Sequence, residues 1–165
     1  EARKMATALA AKGLKQGDHI GILSKNCYHW ILADLAIMMG GYISVPFYAS
    51  LPKAQLAEVI ELSDIKAIFI GKLDKWGNRA EAIPDDVQAI KFPHYDGNAT
   101  ITVGEDWNNL IAKHAPKADD FIKLGQSILS KIDYSEDYSV EYEKGNRDPE
   151  FIYKYIRTAL RACSF

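Results

Sequence analysis

The chain has 165 residues, of which 48% are hydrophobic, and a formal net charge of −2. That length holds one domain or one domain with an appendage, and the apolar fraction suffices for a sizeable core. The charge balance excludes a general nucleic-acid binder, and the longest apolar run, Trp30–Met39, is broken by Asp34 and falls short of the about 18 residues a membrane span needs.

Residues 1–13, EARKMATALAAKG, read as the middle of a helix running from about Ala2 to Lys12, with Gly13 as a left-handed stop and Leu14 as the hydrophobic contact after it. No charged-then-apolar leader with a cleavage site stands in them, so the expectation is no secretion signal and a true start lying upstream. Gly17-Asp18 turns the chain into His19–Leu23, a short apolar run that reads as a buried strand. Asn26 is the expected N-cap of a second helix, Cys27 to Met39. That helix is apolar nearly all round, which predicts burial on several sides. Gly40-Gly41 ends it, and Tyr42–Val45 reads as a second strand whose pairing Pro46 limits.

Leu51-Pro52 opens a third helix, Lys53 to Leu62, with Leu56, Val59, Ile60 and Leu62 as its apolar face. Lys66–Ile70 is a third strand ended by Gly71. A short helix around Trp76–Ile83, a fourth strand at Ala89–Phe92, a turn-rich stretch at His94–Asn98 and a short helix at Trp107–His114 follow. Strand and helix alternating at this spacing predict an α/β fold: a partial, mostly parallel sheet with flanking helices. Such sheets bind ligands at the carboxyl ends of their strands, which places a site near Lys25, Phe47 and Gly71 without naming the ligand.

The polar residues in this stretch suggest little chemistry. Cys27 and Cys163 lack CxxC or Cys/His spacing and read as packed thiols of a reducing cytoplasm. His19, His94 and His114 share no ligand spacing, and His29 beside Trp30 reads as a satisfied, partly buried histidine rather than a base. Asp85-Asp86 and Asp119-Asp120 suit helix N-termini, where carboxylates meet the dipole favourably. Met38-Met39 reads as core packing rather than the lining of a lipid pocket, and Lys25 as a surface lysine before a phosphate ligand.

Four ordered stretches resemble the N-terminal region of the AMP-forming acyl-CoA synthetases, the adenylate-forming superfamily. They are Leu9-Ala-Ala-Lys-Gly-Leu-Lys-Gln-Gly-Asp18; Ile20-Gly-Ile-Leu-Ser-Lys-Asn26 with Trp30 and Ala33-Asp-Leu-Ala36; Gly40-Gly-Tyr-Ile-Ser-Val-Pro46; and Gln55-Leu56 with Ser63-Asp64. The stretch Val45-Pro-Phe-Tyr-Ala-Ser-Leu-Pro52 is most similar to the long-chain fatty-acid–CoA ligase branch. The resemblance covers residues 1–118.

It implies a two-step ligase. A fatty-acid carboxylate attacks the α-phosphate of ATP, with Mg²⁺ screening the charge, and coenzyme A then displaces AMP from the acyl adenylate. ATP, Mg²⁺ and CoA are thus implied for the intact family enzyme, and none is assigned to this chain. The family's phosphate-binding loop is a Gly/Ser/Thr-rich run with a lysine, whose backbone N–H groups hold phosphate. No Ser/Thr/Gly run followed by Pro-Lys-Gly occurs after His114, and the later motifs and terminal lysine of the family have no counterpart. No catalytic, cofactor-binding or metal residue is therefore carried over. What the resemblance carries over is scaffold: Gly13, Gly17, Asp18, Asn26, Trp30, Gly41 and Pro46.

Composition shifts near Asp119, which makes 119–165 the expected appendage. Residues 133–150 are acidic and tyrosine-rich, which reads as a solvated loop before a docking strip. Asp148-Pro149 then starts an amphipathic helix with Ile152, Tyr155, Ile156, Ala159, Leu160 and Cys163 on one face. Residues 119–162, through Asp120-Phe-Ile-Lys-Leu-Gly125 and Tyr142–Glu150, are faintly similar to the helical region after the thioredoxin-like domain of some bacterial proteins, without the redox CxxC. Two functions follow as expectations. One is a ligase fragment inactive alone, cytoplasmic and at most peripheral to a membrane. The other is an interaction module that self-associates through an exposed sheet edge or apolar face.

Overall fold

The computed structural model describes residues 1–116. The expected appendage, including Cys163 and Asp119-Asp120, lies outside them. Five strands are present: β1 (His19–Ser24), β2 (Ile43–Phe47), β3 (Ile65–Gly71), β4 (Gln88–Lys91) and β5 (Glu105–Asp106). They form one sheet in the order β2-β1-β3-β4-β5, and each neighbouring pair is parallel. The helices are α1 (Ala2–Ala11), α2 (Tyr28–Met39), α3 (Lys53–Ser63) and α4 (Trp107–Lys113), with a 3₁₀ segment at Gly77–Ala82. The parallel α/β architecture expected from the sequence is the one observed.

The continuous apolar character of β1 and β3 follows from cover on both faces. Ile20, Ile22, Ala67 and Phe69 face one core with Met5, Leu9, Ala33, Ile37, Trp107 and Leu110 of α1, α2 and α4. Leu23, Ile68 and Ile70 face the other, with Leu56 and Ile60 of α3 and Trp76, Ala82 and Ile101 beyond it. Alternation along each strand sends successive side chains to opposite sides, so two cores consume one unbroken hydrophobic run.

Several local expectations are corrected. Asn26 is not the cap of α2; Cys27 holds that position in extended backbone, and no side chain caps it. The strand-end contacts keep the chain extended one residue longer: the Lys25 N–H donates to the Lys72 carbonyl at 3.2 Å, and the Lys72 ammonium donates to the Asn26 carbonyl at 3.1 Å. Burial of α2 on several sides is also overturned. Leu32, Ala33, Ala36 and Ile37 are buried, but Tyr28, Ile31 and Met38 are exposed. Met38 is therefore not core, whereas Met39 packs against the first core.

Leu62 likewise leaves the predicted face of α3 for solvent. Asp85-Asp86 sits in the turn before β4, where the Val87 N–H donates to the Pro84 carbonyl at 3.0 Å, and starts no helix. Pro46 lies inside β2 opposite Ile22. The strand tolerates it because β2 is an edge, where a missing N–H can face solvent. The two-residue β5 was not foreseen, since so short a run shows no periodicity. It leads straight into α4, whose N-cap Asp106 accepts from the Asn108 and Asn109 N–H groups at 2.9 and 3.2 Å.

Candidate functional site

The order 2-1-3-4-5 reverses direction between β1 and β3, so the crevice outside their carboxyl ends is the place where such folds take ligands. Ser24 lies opposite Gly71 at the last register position of the two strands. Lys25 and the residues after Gly71 therefore meet, as the sequence suggested for Lys25 and Gly71. Gly71 packs too tightly for a side chain: a Cβ there would stand 2.5 Å from Phe92 atoms. Phe47, the third expected residue, does not join them. Its ring is buried in the second core against Gly21, where an added Cβ would lie 2.6 Å from Phe47 Cε2.

Other residues, not singled out for this crevice, complete it. Lys25 pairs with Asp74, and Lys72 lies 5.5 Å from the centroid of the Tyr95 ring as well as on the Asn26 carbonyl. Lys72 has a left-handed φ of +37°, which few non-glycine residues adopt. The Ser24 hydroxyl donates to the Lys25 carbonyl at 2.8 Å and lies 3.7 Å from Cys27 Sγ. Tyr95 Oη stands 2.6 Å from His29 Nδ1 and accepts from the His29 N–H at 3.4 Å. Tyr95 follows β4, so the strand-end rule that found Lys25 would have found it too. Its place in a turn-rich stretch hid it.

His29 is the partly buried, hydrogen-bonded histidine that its sequence position suggested. Its ring meets Tyr28, Phe92, Tyr95 and Trp107 at centroid distances of 5.2–5.8 Å. Burial lowers its pKa below the ordinary value, against a smaller opposing pull from the Glu1 carboxylate. Burial first, then the hydrogen bond with Cys27, raises the Tyr95 phenol, so Tyr95 keeps its proton and can donate it to His29 Nδ1.

The consequence for stability has a definite sign. A histidine with a depressed folded pKa binds fewer protons folded than unfolded just below pH 6.5, so stability is full above the unfolded value and falls as pH drops through about 6.5. Thermal midpoints of the wild type and His29→Gln between pH 5 and 7.5 should diverge, with the wild type losing more on acidification. Parallel curves would refute this.

Elsewhere, His19 Nδ1 donates to the Ser63 carbonyl at 2.6 Å, while His94 is exposed and His114 half-buried. Among the described residues, no group of three or more His, Cys, Asp or Glu side chains comes together to hold a metal ion. The side chains crowded at the crevice include two lysines, a donor set that does not fit Mg²⁺, and no step is assigned to that ion here. The arrangement is a clamp of strand ends, fastened by hydrogen bonds and one ion pair. No helix of the described residues is long and apolar enough to cross a membrane.

Comparison with known proteins bears on this fold. The chain is 31% identical over 70 residues to long chain acyl-CoA synthetase 1 of Arabidopsis thaliana, covering 42% of this chain and 11% of that protein. It is 30% identical over 89 residues to the long-chain-fatty-acid–CoA ligase FadD15 of Mycobacterium bovis, covering 54% of this chain and 15% of that protein. Among solved structures, a benzoate CoA ligase from Burkholderia xenovorans LB400 shares the fold with a TM-score of 0.56 at 19% identity, over 71% of this chain and 22% of that one. The anthranilate CoA ligase AuaEII does so with a TM-score of 0.58 at 15% identity and the same coverage. The chain thus spans less than a quarter of each of these proteins. The AMP-binding enzyme family matches residues 1–129, most of the sequence, and the chain belongs to that family.

Proposed function

We propose that this chain is the N-terminal portion of an ATP-dependent long-chain fatty-acid–CoA ligase and is inactive by itself. The carrying observation is the family match over residues 1–129 combined with a sequence that holds no phosphate-binding loop. The long-chain assignment draws support from the FadD15 and Arabidopsis relatives. In the intact enzyme, a fatty acid, ATP and CoA would be the substrates and Mg²⁺ the screening cation. Residues 1–118 would supply the parallel sheet that braces the site, with 119–165 as an appendage. No residue here is given a catalytic role. The enzyme would be cytoplasmic and at most peripheral to a membrane.

The test is ATP–pyrophosphate exchange with palmitate. The purified 165-residue chain is expected to show none, and exchange is expected once the remaining portion of a long-chain ligase is co-expressed with it. Exchange by the chain alone would overturn the inactivity claim.

A second reading, a non-catalytic module that self-associates, draws on β2 as an edge strand among the described residues, on exposed Ile43 in it and Tyr48 after it, and on exposed Leu62 of α3. Concentration-dependent dimerisation in sedimentation equilibrium, removed by Ile43→Lys, would favour it.

A further inference from the structure

Aspartate or asparagine precedes glycine at one place in the sequence, Asp96-Gly97, in the connection between β4 and β5. A glycine amide nitrogen carries the least steric cover of any in the backbone. The side-chain carboxyl carbon just before it lies one succinimide ring closure away, so the two groups are already held close.

The fold leaves both reacting groups free. The Asn98 N–H donates to the Tyr95 carbonyl at 3.1 Å, Gly97 has φ +76°, and Asp96 is not among the residues of positive φ, so residues 95–98 form a type II turn. The turn's own hydrogen bond does not use the Gly97 N–H, which has no partner among the described residues. Asp96 is exposed, and its carboxylate is likewise unpartnered among them. Other aspartates are tied: Asp18 accepts from the Lys15 N–H, Asp64 from the Lys66 ammonium, and Asp106 from the Asn108 and Asn109 N–H groups. A Cβ built on Gly97 would meet nothing within 4 Å, so ring closure has room. Asn98 Nδ2 also donates to the Asp96 carbonyl at 3.1 Å. That carbonyl belongs to the peptide unit whose nitrogen attacks, and a donor there draws charge onto oxygen and eases loss of the N–H proton.

The turn is anchored on both sides. Tyr95 Oη lies 2.6 Å from His29 Nδ1, and the Ala99 N–H donates to the Leu73 carbonyl at 2.7 Å. Extra backbone length between these anchors has to be taken up at one of them, and the Tyr95 anchor is a phenol at the end of a side chain.

We propose that Asp96-Gly97 is a self-modification site, where Asp96 converts to isoaspartate with help from Asn98 and the product releases Tyr95 from His29. The Gly97 nitrogen attacks Cγ of the protonated Asp96 carboxyl. The N–Cγ bond forms, the Cγ–OH bond breaks, and the hydroxyl leaves with the Gly97 proton as water. Water then opens the succinimide. Cleavage of the N–Cγ bond restores aspartate; cleavage of the bond from nitrogen to the backbone carbonyl carbon gives isoaspartate, with the chain routed through the β-carboxyl and one methylene longer. Water is lost once and regained once, so the mass is unchanged and solvent is the only co-reactant.

The experiment ages the purified 165-residue chain for several weeks in warm neutral buffer. Isoaspartate is read by methyl transfer from S-adenosylmethionine with an isoaspartyl methyltransferase, and located by fragmentation of the tryptic peptide spanning residues 92–113. It is expected to accumulate at Asp96 and not at Asp106 of the same peptide. Asp96→Glu, which would need a larger ring, should lose the signal and keep the wild-type melting temperature. Asn98→Ala, which removes the donor, should accumulate isoaspartate more slowly. The His29 imidazole NMR signals, assigned by their absence from His29→Gln, should split into a second set that grows with the isoaspartate fraction. No isoaspartate at residue 96 of the folded chain, equal accumulation at Asp106, or a signal that persists in Asp96→Glu would overturn the site. Equal or faster accumulation in Asn98→Ala would overturn the help assigned to Asn98, and unchanged His29 signals in isomerised protein would overturn the release of Tyr95.

Discussion

Trp107→Ala is expected to lower stability by about 3–5 kcal/mol, the usual cost of truncating a fully buried large aromatic. For a domain whose total stability is on the order of 5–15 kcal/mol, that is a large share. Trp107 has no solvent exposure and touches three other rings: His29 at 5.2 Å, Phe92 at 5.6 Å and Phe69 at 5.7 Å between centroids. It joins α4 to the sheet and to α2, so its loss opens a cavity where three elements meet. The indole carries one awkward feature. Its Nε1–H is buried and has no hydrogen-bond partner among the described residues. A lost hydrogen bond of that kind costs about 1–3 kcal/mol, so Trp107→Phe removes an unfavourable group while keeping most of the ring contact. Urea unfolding should place Trp107→Phe within about 1 kcal/mol of wild type, since the smaller cavity and the deleted N–H oppose each other. Equal losses for the two variants would mean that the N–H is satisfied after all.

Gly104→Ala is expected to be the most damaging glycine substitution in the described fold. Gly104 has φ +93°, a conformation that costs an L-residue about 1–2 kcal/mol. It also lies against β4: a Cβ there would stand 2.9 Å from the Ala89 carbonyl carbon and 3.0 Å from its oxygen. Those are backbone atoms of a paired strand, so relief requires moving β4 or displacing β5, and overpacking of that kind adds about 1–3 kcal/mol. Gly97 separates the two contributions. It has φ +76°, and an added Cβ would meet nothing within 4 Å, so Gly97→Ala should lose only the conformational part, about 1–2 kcal/mol. Unfolding free energies of the two variants, measured side by side, should differ by the steric part. Equal losses would show that β4 yields freely.

The long periodic segments were legible because each carried its own local signal. α1 ends where Gly13 takes φ +86°, and β1, β3 and α3 fall within two residues of their expected bounds. β5 was not legible because two residues, Glu105 and Asp106, have no pattern; pairing with β4 alone makes them a strand. The candidate crevice was half legible. Lys25 and Gly71 sit at strand ends that can be read from hydropathy, but Lys72, Asp74 and Tyr95 reach it only through folding that brings them to Asn26, Lys25 and His29, partners 46, 49 and 66 residues away in sequence.

The α/β class, the parallel sense of the strands and the kinship with carboxylate-activating ligases could all be read from the residues alone, because they depend on short-range alternation, turn residues and ordered motifs. Which side of each element is covered emerged only on folding. Helix α2 is the plain case: its apolar residues run all round, yet only the side against β1 and α1 is buried, since a helix has one sheet beneath it and hydrophobicity alone does not say what lies above. The same holds for Phe47, whose place at a strand end suggested a ligand but whose ring fills the space left by the missing side chain of Gly21.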